Sequence, residues 1–381
     1  MKKILVVAMV DSIHTARWLE QFEDSQNEFL LFPSSPHRRI HPKIQRLLGD
    51  ESTMTIRIPR GLGRTGLLLA AIDKLVGNRV RGFLLRKNIT SFQPEILHAM
   101  ETQGAGYISL QALTRSSLRP FFILTLWGSD LFWFRQFSRH QRKLTQLLKM
   151  VDRLAMECER DSVIARSLGF TGSIYPPIPV TGGYEVDQLA SQRGHSKPSS
   201  RKLIMIKGHT RFVGQAETAL AAIEQMADRL TSYQLIVYSA DPKAKRIALK
   251  LKKQQNLSVE VFGRAELSHD RLLELFSSAR IYVGISSSDG ISVSLQEAMV
   301  CGAFPIQTDT SCANEWIEDS KSGFIVKVDD LPGMTRAIKT ALENDALVDS
   351  AAELNLKTAQ ERLDQKVVSE LSRNFYEKVL G

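Results

Sequence analysis

The stretch Ser286-Ser287-Ser288-Asp289-Gly290-Ile291-Ser292-Val293-Ser294-Leu295-Gln296-Glu297-Ala298-Met299-Val300-Cys301-Gly302 decides the fold. It follows an apolar run at 281–285 that reads as a buried parallel strand. Small hydroxyl residues and a glycine then make a turn, a helix starts near Val293, and Gly302 stops it. Backbone N–H groups around Ile291 to Ser294 are left without partners inside the helix, at the positive end of its dipole. Such a helix start suits a diphosphate. Glu297, one to two turns in, can accept hydrogen bonds from two vicinal hydroxyls of the kind a ribose presents. Asp289, in the preceding loop, can do the same for the hydroxyls of a sugar.

On both sides of this unit the same alternation continues. Strand-like runs at 202–206, 234–238, 259–262, 304–307 and 324–328 are interleaved with helical spacing at 215–230, 243–254, 271–278 and 293–300. An earlier series has strands at 4–10, 28–32, 54–58 and 121–126, with helices at 14–22, 67–76 and 136–149. Between the two series, Tyr175-Pro176-Pro177-Ile178-Pro179 halts regular structure, and the polar stretch 188–201 reads as an exposed loop. The pattern predicts an α/β protein of two Rossmann-like, doubly wound domains facing each other across a cleft, with ligands at the carboxyl ends of the strands. We expect an N-terminal domain over 1–180, a linker over 181–201 and a C-terminal domain over 202–355. A final helix, running from about 351 to 380, is expected to cross back so that 356–381 packs on the first domain.

Composition narrows the class. The 381 residues suit two domains, and 43% hydrophobic with 24% charged residues is the balance of a soluble globular chain. No apolar run is long enough to span a bilayer. The opening Met1-Lys2-Lys3 and the apolar run after it imitate a signal peptide, but the run stops at Asp11 with no small-residue cleavage site. The chain is therefore expected in the cytoplasm. Cys158, Cys301 and Cys312 have no metal-ligand spacing and read as buried small hydrophobes. The net charge is +9, and residues 37–87 alone carry twelve basic against three acidic side chains, which equals the whole surplus. Leu67-Leu68-Leu69 and Phe83-Leu84-Leu85 are interleaved with those cations, a mixture that suits an anionic membrane surface or a phosphorylated acceptor. Nucleic acid is not expected as a partner, because aromatic residues are almost absent from the segment.

Asp289, seven intervening residues, Glu297, then Ala298-Met299-Val300-Cys301-Gly302 resembles the donor signature of the GT-B glycosyltransferases of family 4. The flanks resemble it too: Val259-Glu260-Val261-Phe262-Gly263-Arg264 before it, Asn314-Glu315-Trp316-Ile317 and Ser322-Gly323-Phe324-Ile325-Val326 after it. The resemblance implies retaining transfer of a sugar from a nucleotide-sugar co-substrate, UDP- or GDP-linked, to a glycan or lipid-linked acceptor, as in bacterial surface-polysaccharide synthesis. It implies that Glu297 holds the ribose and Asp289 the sugar, with backbone from Gly290 through Ile291, Ser292, Val293 and Ser294 at the phosphates. Lys207, followed by Gly208, resembles the lysine that neutralises the pyrophosphate, and its arginine partner is Arg211 or Arg264. No Asp-x-Asp pair stands at a strand end, and the resemblance implies no essential metal. In the first domain, Ser12 and His14 fall on the loop where the family often has paired glycines, which this chain lacks. Trp127-Gly128-Ser129-Asp130 resembles a His-Gly-Ser-Asp loop near the sugar, with Trp127 in the histidine position. Asp130 either orients the acceptor or caps the next helix.

Gly61-Leu62-Gly63-Arg64-Thr65-Gly66 matches the dinucleotide fingerprint, but no acidic residue stands about twenty positions on. An oxidoreductase is therefore a remote reading, and Gly63 is placed on an acceptor-side loop whose glycines let backbone approach a phosphate. A second alternative is a nucleotide-binding protein without turnover, and a third a sugar-nucleotide enzyme of another reaction type.

Overall fold

A computed structural model describes residues 1–37, 39–49, 54–59, 71–73, 75–193 and 196–377. The glycine motif with Gly63, and residues 67–70 and 74 of the helix expected at 67–76, lie outside the described residues. The chain divides into two compact units, Met1–Gly183 with the segment from Val368 onward, and Tyr184–Val367.

In the first unit, β1 (Lys3–Ala8), β2 (Glu28–Pro33), β3 (Thr55–Arg57), β4 (Ile96–Met100), β5 (Phe121–Thr125), β6 (Arg153–Ala155) and β7 (Ser173–Ile174) form one sheet in the order β3-β2-β1-β4-β5-β6-β7. In the second, β8 (Leu203–Lys207), β9 (Gln234–Tyr238), β10 (Ser258–Val261), β11 (Ala279–Gly284), β12 (Phe304–Thr308) and β13 (Phe324–Val326) follow the order β10-β9-β8-β11-β12-β13. The strand pairs are parallel throughout both sheets. Each sheet therefore reverses its order once, between β1 and β4 and between β8 and β11. Those reversals are the switch points where crossover connections diverge and leave a crevice.

Continuous apolar strands arise because helices cover both faces. Leu203 and Met205 of β8 enter one core with Tyr238 and Leu295, while Ile204 and Ile206 enter the other with Val237 and Val283. The first unit repeats the arrangement, with Ile4 and Val6 on one side of β1 and Leu5 and Val7 on the other.

The C-terminus differs from the sequence expectation. Instead of one long helix there are two, Asp345–Arg362 and Gln365–Glu377. Asp364 causes the break: its Oδ1 accepts from Lys366 N at 3.0 Å and caps the second helix, while Leu363 O accepts from Tyr184 N at 2.8 Å.

That second helix is held to the first sheet by a buried polar chain. Trp18 Nε1 donates to the Tyr376 hydroxyl at 3.0 Å. The hydroxyl lies 2.6 Å from His98 Nδ1, and His98 Nε2 lies 2.7 Å from Thr125 Oγ1. With Trp18 donating, Tyr376 donates onward to Nδ1, leaving the Nε2–H for Thr125: a neutral imidazole satisfied at both nitrogens. Burial pushes the His98 pKa down to about 3.

The basic 37–87 segment is less free than its composition suggests. Arg81 is buried, donates to Ser34 O, and its Nε is 3.7 Å from Asp73 Oδ2. Lys43 pairs with Glu20 at 2.9 Å, Arg46 with Glu23 at 2.8 Å, and Arg57 with Glu28. Arg79 and Lys87, on the helix Arg79–Phe92, remain exposed.

His98 gives the first unit a definite acid sensitivity. Its folded pKa lies below the free value of 6.5, so its contribution to stability is complete above that pH and falls as the unfolded chain takes up a proton that the folded chain refuses. We expect this one group to remove about 1.4 kcal/mol per pH unit between roughly pH 6 and pH 4. His98→Asn, followed by urea denaturation across that range, should flatten the slope by about that amount; an unchanged slope contradicts the assignment.

Candidate functional site

The switch point of the second unit gathers the predicted donor-side residues. Lys207 is the last residue of β8, and its Nζ lies 3.5 Å from Ser292 Oγ. Gly208 follows where a Cβ would overlap the Val237 side chain and the backbone of Ala240, so only glycine lets the strand end run this close to its neighbour.

β11 ends at Gly284, where a Cβ would strike the Tyr282 hydroxyl and the Gln307 carboxamide, which hydrogen-bond to each other at 3.1 Å. The loop beyond is pinned by the next strand. Thr308 Oγ1 accepts from Ser286 N at 3.1 Å, Thr310 Oγ1 donates to Ser286 O, and Asp289 N donates to Thr310 O at 3.3 Å. Asp289 is half-buried, and its Oδ1 accepts from Gly290 N at 3.0 Å.

The helix Val293–Cys301 then begins with Ser292 as N-cap, in extended backbone and with no side-chain cap bond. The Ser292 hydroxyl instead faces Lys207 and the Tyr282 hydroxyl, each at 3.5 Å. Among the described residues nothing accepts from the N–H groups of Val293 and Ser294. At the other end Gly302 takes a left-handed φ of 77° and the carbonyls are closed by guanidiniums. Arg193 Nε donates to Val300 O at 2.8 Å, and Arg201 Nη1 to Cys301 O at 3.2 Å. Burial lowers both guanidinium pKa values, that of Arg193 to about 10. Two cations thus stabilise the negative end of the dipole while the positive end stays open.

Glu297 projects from this helix with 3% of its side chain exposed. Among the described residues its hydrogen-bond partner is His269, whose Nε2 is 3.0 Å from Glu297 Oε1. Sequence reasoning missed His269. The helix His269–Ser278 starts two residues earlier than the spacing at 271–278 implied, with Ser268 accepting from Arg271 N at 3.2 Å. A serine cap signal marks that start; the pairing with a residue 28 positions away has no local trace.

Cationic charge collects on the Lys207 side. His209 has its pKa lowered by burial and by the charges of Lys207, Arg264 and Arg211, against Asp241. All three cations therefore bear on one point, with Arg211 and Arg264 both exposed. Asp241 is fixed as the cap of the helix Pro242–Gln254. Burial opposes its ionisation, but hydrogen bonds from Ala244, Thr210 and Lys243 hold its pKa down at about 2.

The first unit places its own predicted residues around the end of β1. Ser12 caps the helix Ile13–Glu20 by accepting from His14 N at 3.2 Å. The His14 and Trp127 rings meet edge to face, with centroids 5.7 Å apart. A small cavity of about 20 Å³ is lined by His14, Arg17, Trp18, Met100, Thr125 and Trp127, among others. Asp130 is buried, and its Oδ2 accepts from Trp127 N at 2.6 Å. Burial, reinforced by the charge of Glu101, pushes the Asp130 pKa well above the usual carboxylate range. The carboxyl is thus engaged in shaping its own loop.

With this geometry, comparison with known proteins is informative. Residues 187–360 match the family model described as glycosyl transferases group 1, and residues 3–157 match the one described as glycosyl transferase 4-like. A sucrose-phosphate synthase from Thermosynechococcus elongatus superposes with a TM-score of 0.70 at 15% identity, over 100% of this chain and 99% of that one. HepE from Anabaena, solved in complex with UDP and glucose, gives a TM-score of 0.67 at 14% identity, over 99% and 100%. An α,α-trehalose 6-phosphate synthase from Burkholderia multivorans gives 0.71 at 13% identity, over 99% of both chains. At such identities the likeness is one of fold. No curated protein sequence matches the chain.

Proposed function

This chain belongs to the group 1 glycosyltransferases, with the GT-B fold and a family-4-like first unit, and from that premise we propose a retaining transfer from a nucleoside diphosphate sugar. The observation that carries the proposal is the position of Lys207 beside Ser292, the N-cap of the helix that holds Glu297. In this reading the open N–H groups of Val293 and Ser294 take the diphosphate. Lys207, with Arg211 and Arg264, offsets its charge. Glu297 takes the ribose hydroxyls, since a buried carboxylate with one partner has acceptor capacity to spare. Asp289 takes hydroxyls of the sugar. The complex of HepE with UDP and glucose supports a uridine donor, with a GDP-sugar as the alternative.

The step breaks the bond between the anomeric carbon and the phosphate oxygen, whose electron pair stays on the leaving diphosphate. A bond forms to the acceptor hydroxyl on the same face, and its proton passes to a donor phosphate oxygen. Negative charge grows on the diphosphate as the bond breaks, so cations and helix N–H groups fixed there stabilise the transition state more than the ground state. No metal is required in this scheme.

The acceptor belongs to the first unit, around His14, Trp127 and the loop closed by Asp130. We place a glycan or lipid-linked acceptor there, in bacterial surface-polysaccharide or lipopolysaccharide synthesis, with the protein at the cytoplasmic face of the membrane. No helix among the described residues is long and apolar enough to cross it. What supports peripheral contact is the surface at 72–87. Ile72, Leu75, Val76 and Phe83 are exposed large apolar side chains, Leu75 at 87%. Arg86 and Lys87 lie over the Phe83 ring at 5.3 and 4.8 Å.

Glu297→Gln is expected to raise the donor KM about ten- to hundredfold, the loss of charge-assisted bonds to hydroxyls. Steady-state kinetics at wild-type values would remove the ribose assignment. Separately, Arg79→Glu, Arg86→Glu and Lys87→Glu together should abolish most co-sedimentation with phosphatidylglycerol vesicles, at about 1 kcal/mol per cation. Undiminished binding by that triple variant contradicts the membrane role.

A further inference from the structure

The His269–Glu297 pair has a consequence for how the donor is recognised. A glutamate side chain ends in a torsion with a broad, two-fold preference, so its carboxylate plane is poorly fixed by packing alone. Two vicinal hydroxyls need that plane held at a definite angle. Glu297 is almost wholly buried, and among the described residues one contact sets the plane: Nε2 of His269 at 3.0 Å from Oε1. The imidazole hangs from a fixed stretch of backbone. His269 is the first residue of the helix His269–Ser278, locked behind the Ser268 cap, and a ring with two side-chain torsions loses little freedom in holding one pose. Its side chain is 41% exposed and that of Glu297 3% exposed, so the pair joins a partly exposed ring to a buried carboxylate.

We propose that His269 is the positioning residue for nucleoside recognition: its Nε2–H holds Glu297 Oε1, presenting Oε2 to the ribose of a nucleoside diphosphate. This rests on the donor site described above. Without the imidazole, Glu297 keeps its charge and depth but loses the contact that orients it. The effect is confined to the nucleoside end, because the diphosphate end is held by Lys207 and the helix N-terminus, which His269 does not touch.

The test is isothermal titration of wild type, His269→Ala and His269→Gln with UDP, GDP and inorganic pyrophosphate. Glutamine can offer an amide N–H toward the same oxygen. We expect His269→Ala to weaken whichever nucleotide the wild type binds by about tenfold, the worth of one charge-assisted hydrogen bond. Pyrophosphate affinity should stay unchanged, and His269→Gln should recover most of the nucleotide affinity. Unaltered nucleotide affinity in His269→Ala overturns the proposal. So does a parallel loss for pyrophosphate, or a glutamine variant as weak as alanine, since both point to general damage at the helix start. If the wild type binds neither nucleotide, the donor-site reading falls first and takes this one with it.

Discussion

A helix that is buried on every side must settle the polar groups at its two ends, and among the described residues Val293–Cys301 finds partners at one end only. Its last carbonyls are closed by Arg193, Arg201 and the left-handed Gly302. Among the described residues nothing accepts from its first two N–H groups, those of Val293 and Ser294. The asymmetry gives the site its sign. Cations are built permanently into the negative end, and the positive end opens beside a lysine. Glycines at 208 and 284 let β8 and β11 approach their neighbours closely enough for the helix start and Lys207 to come together. Group 1 membership makes glycosyl transfer the class of reaction, and the roles proposed for Glu297 and Asp289 are compatible with where they hang on this helix and its loop.

The cationic surplus divides into two populations with different meanings. Arg81, Arg193, Arg201 and Arg280 are internal: each closes backbone carbonyls, and Arg280 also reaches Asp345 at 2.6 Å. They hold helix ends and strand starts in place and advertise no partner. Others, such as Arg79, Lys87, Arg211 and Arg264, are exposed and remain available to an anionic ligand or surface. Net charge alone cannot separate the two groups, because a guanidinium is as useful to a buried helix end as to a phosphate.

Local signals explain what was legible in the sequence. Strand, serine-rich turn, helix and Gly302 are all contiguous, so the donor-side unit could be read directly, as could the alternation of the second sheet and four of the seven strands of the first. β4 was missed because His98 interrupts its apolar run, and that histidine is neutral and satisfied through Thr125 and through Tyr376, which is 278 residues away. The helix Arg79–Phe92 was hidden by cations, one of which turns inward to Asp73. The break at Asp364 depends on Tyr184, and the orientation of Glu297 on His269; both are long-range pairings with no local pattern. The polar stretch before β8 looked like a loop for the same reason: Arg193 and Arg201 find their partners a hundred residues on, at the end of the donor helix.

A crystal structure of the protein with UDP bound tests the central claim most directly. The account predicts phosphate oxygens within about 3 Å of the Val293 and Ser294 nitrogens, and Lys207 Nζ on the same diphosphate. A nucleotide bound with its phosphates away from that helix start, leaving those two N–H groups unoccupied, contradicts it.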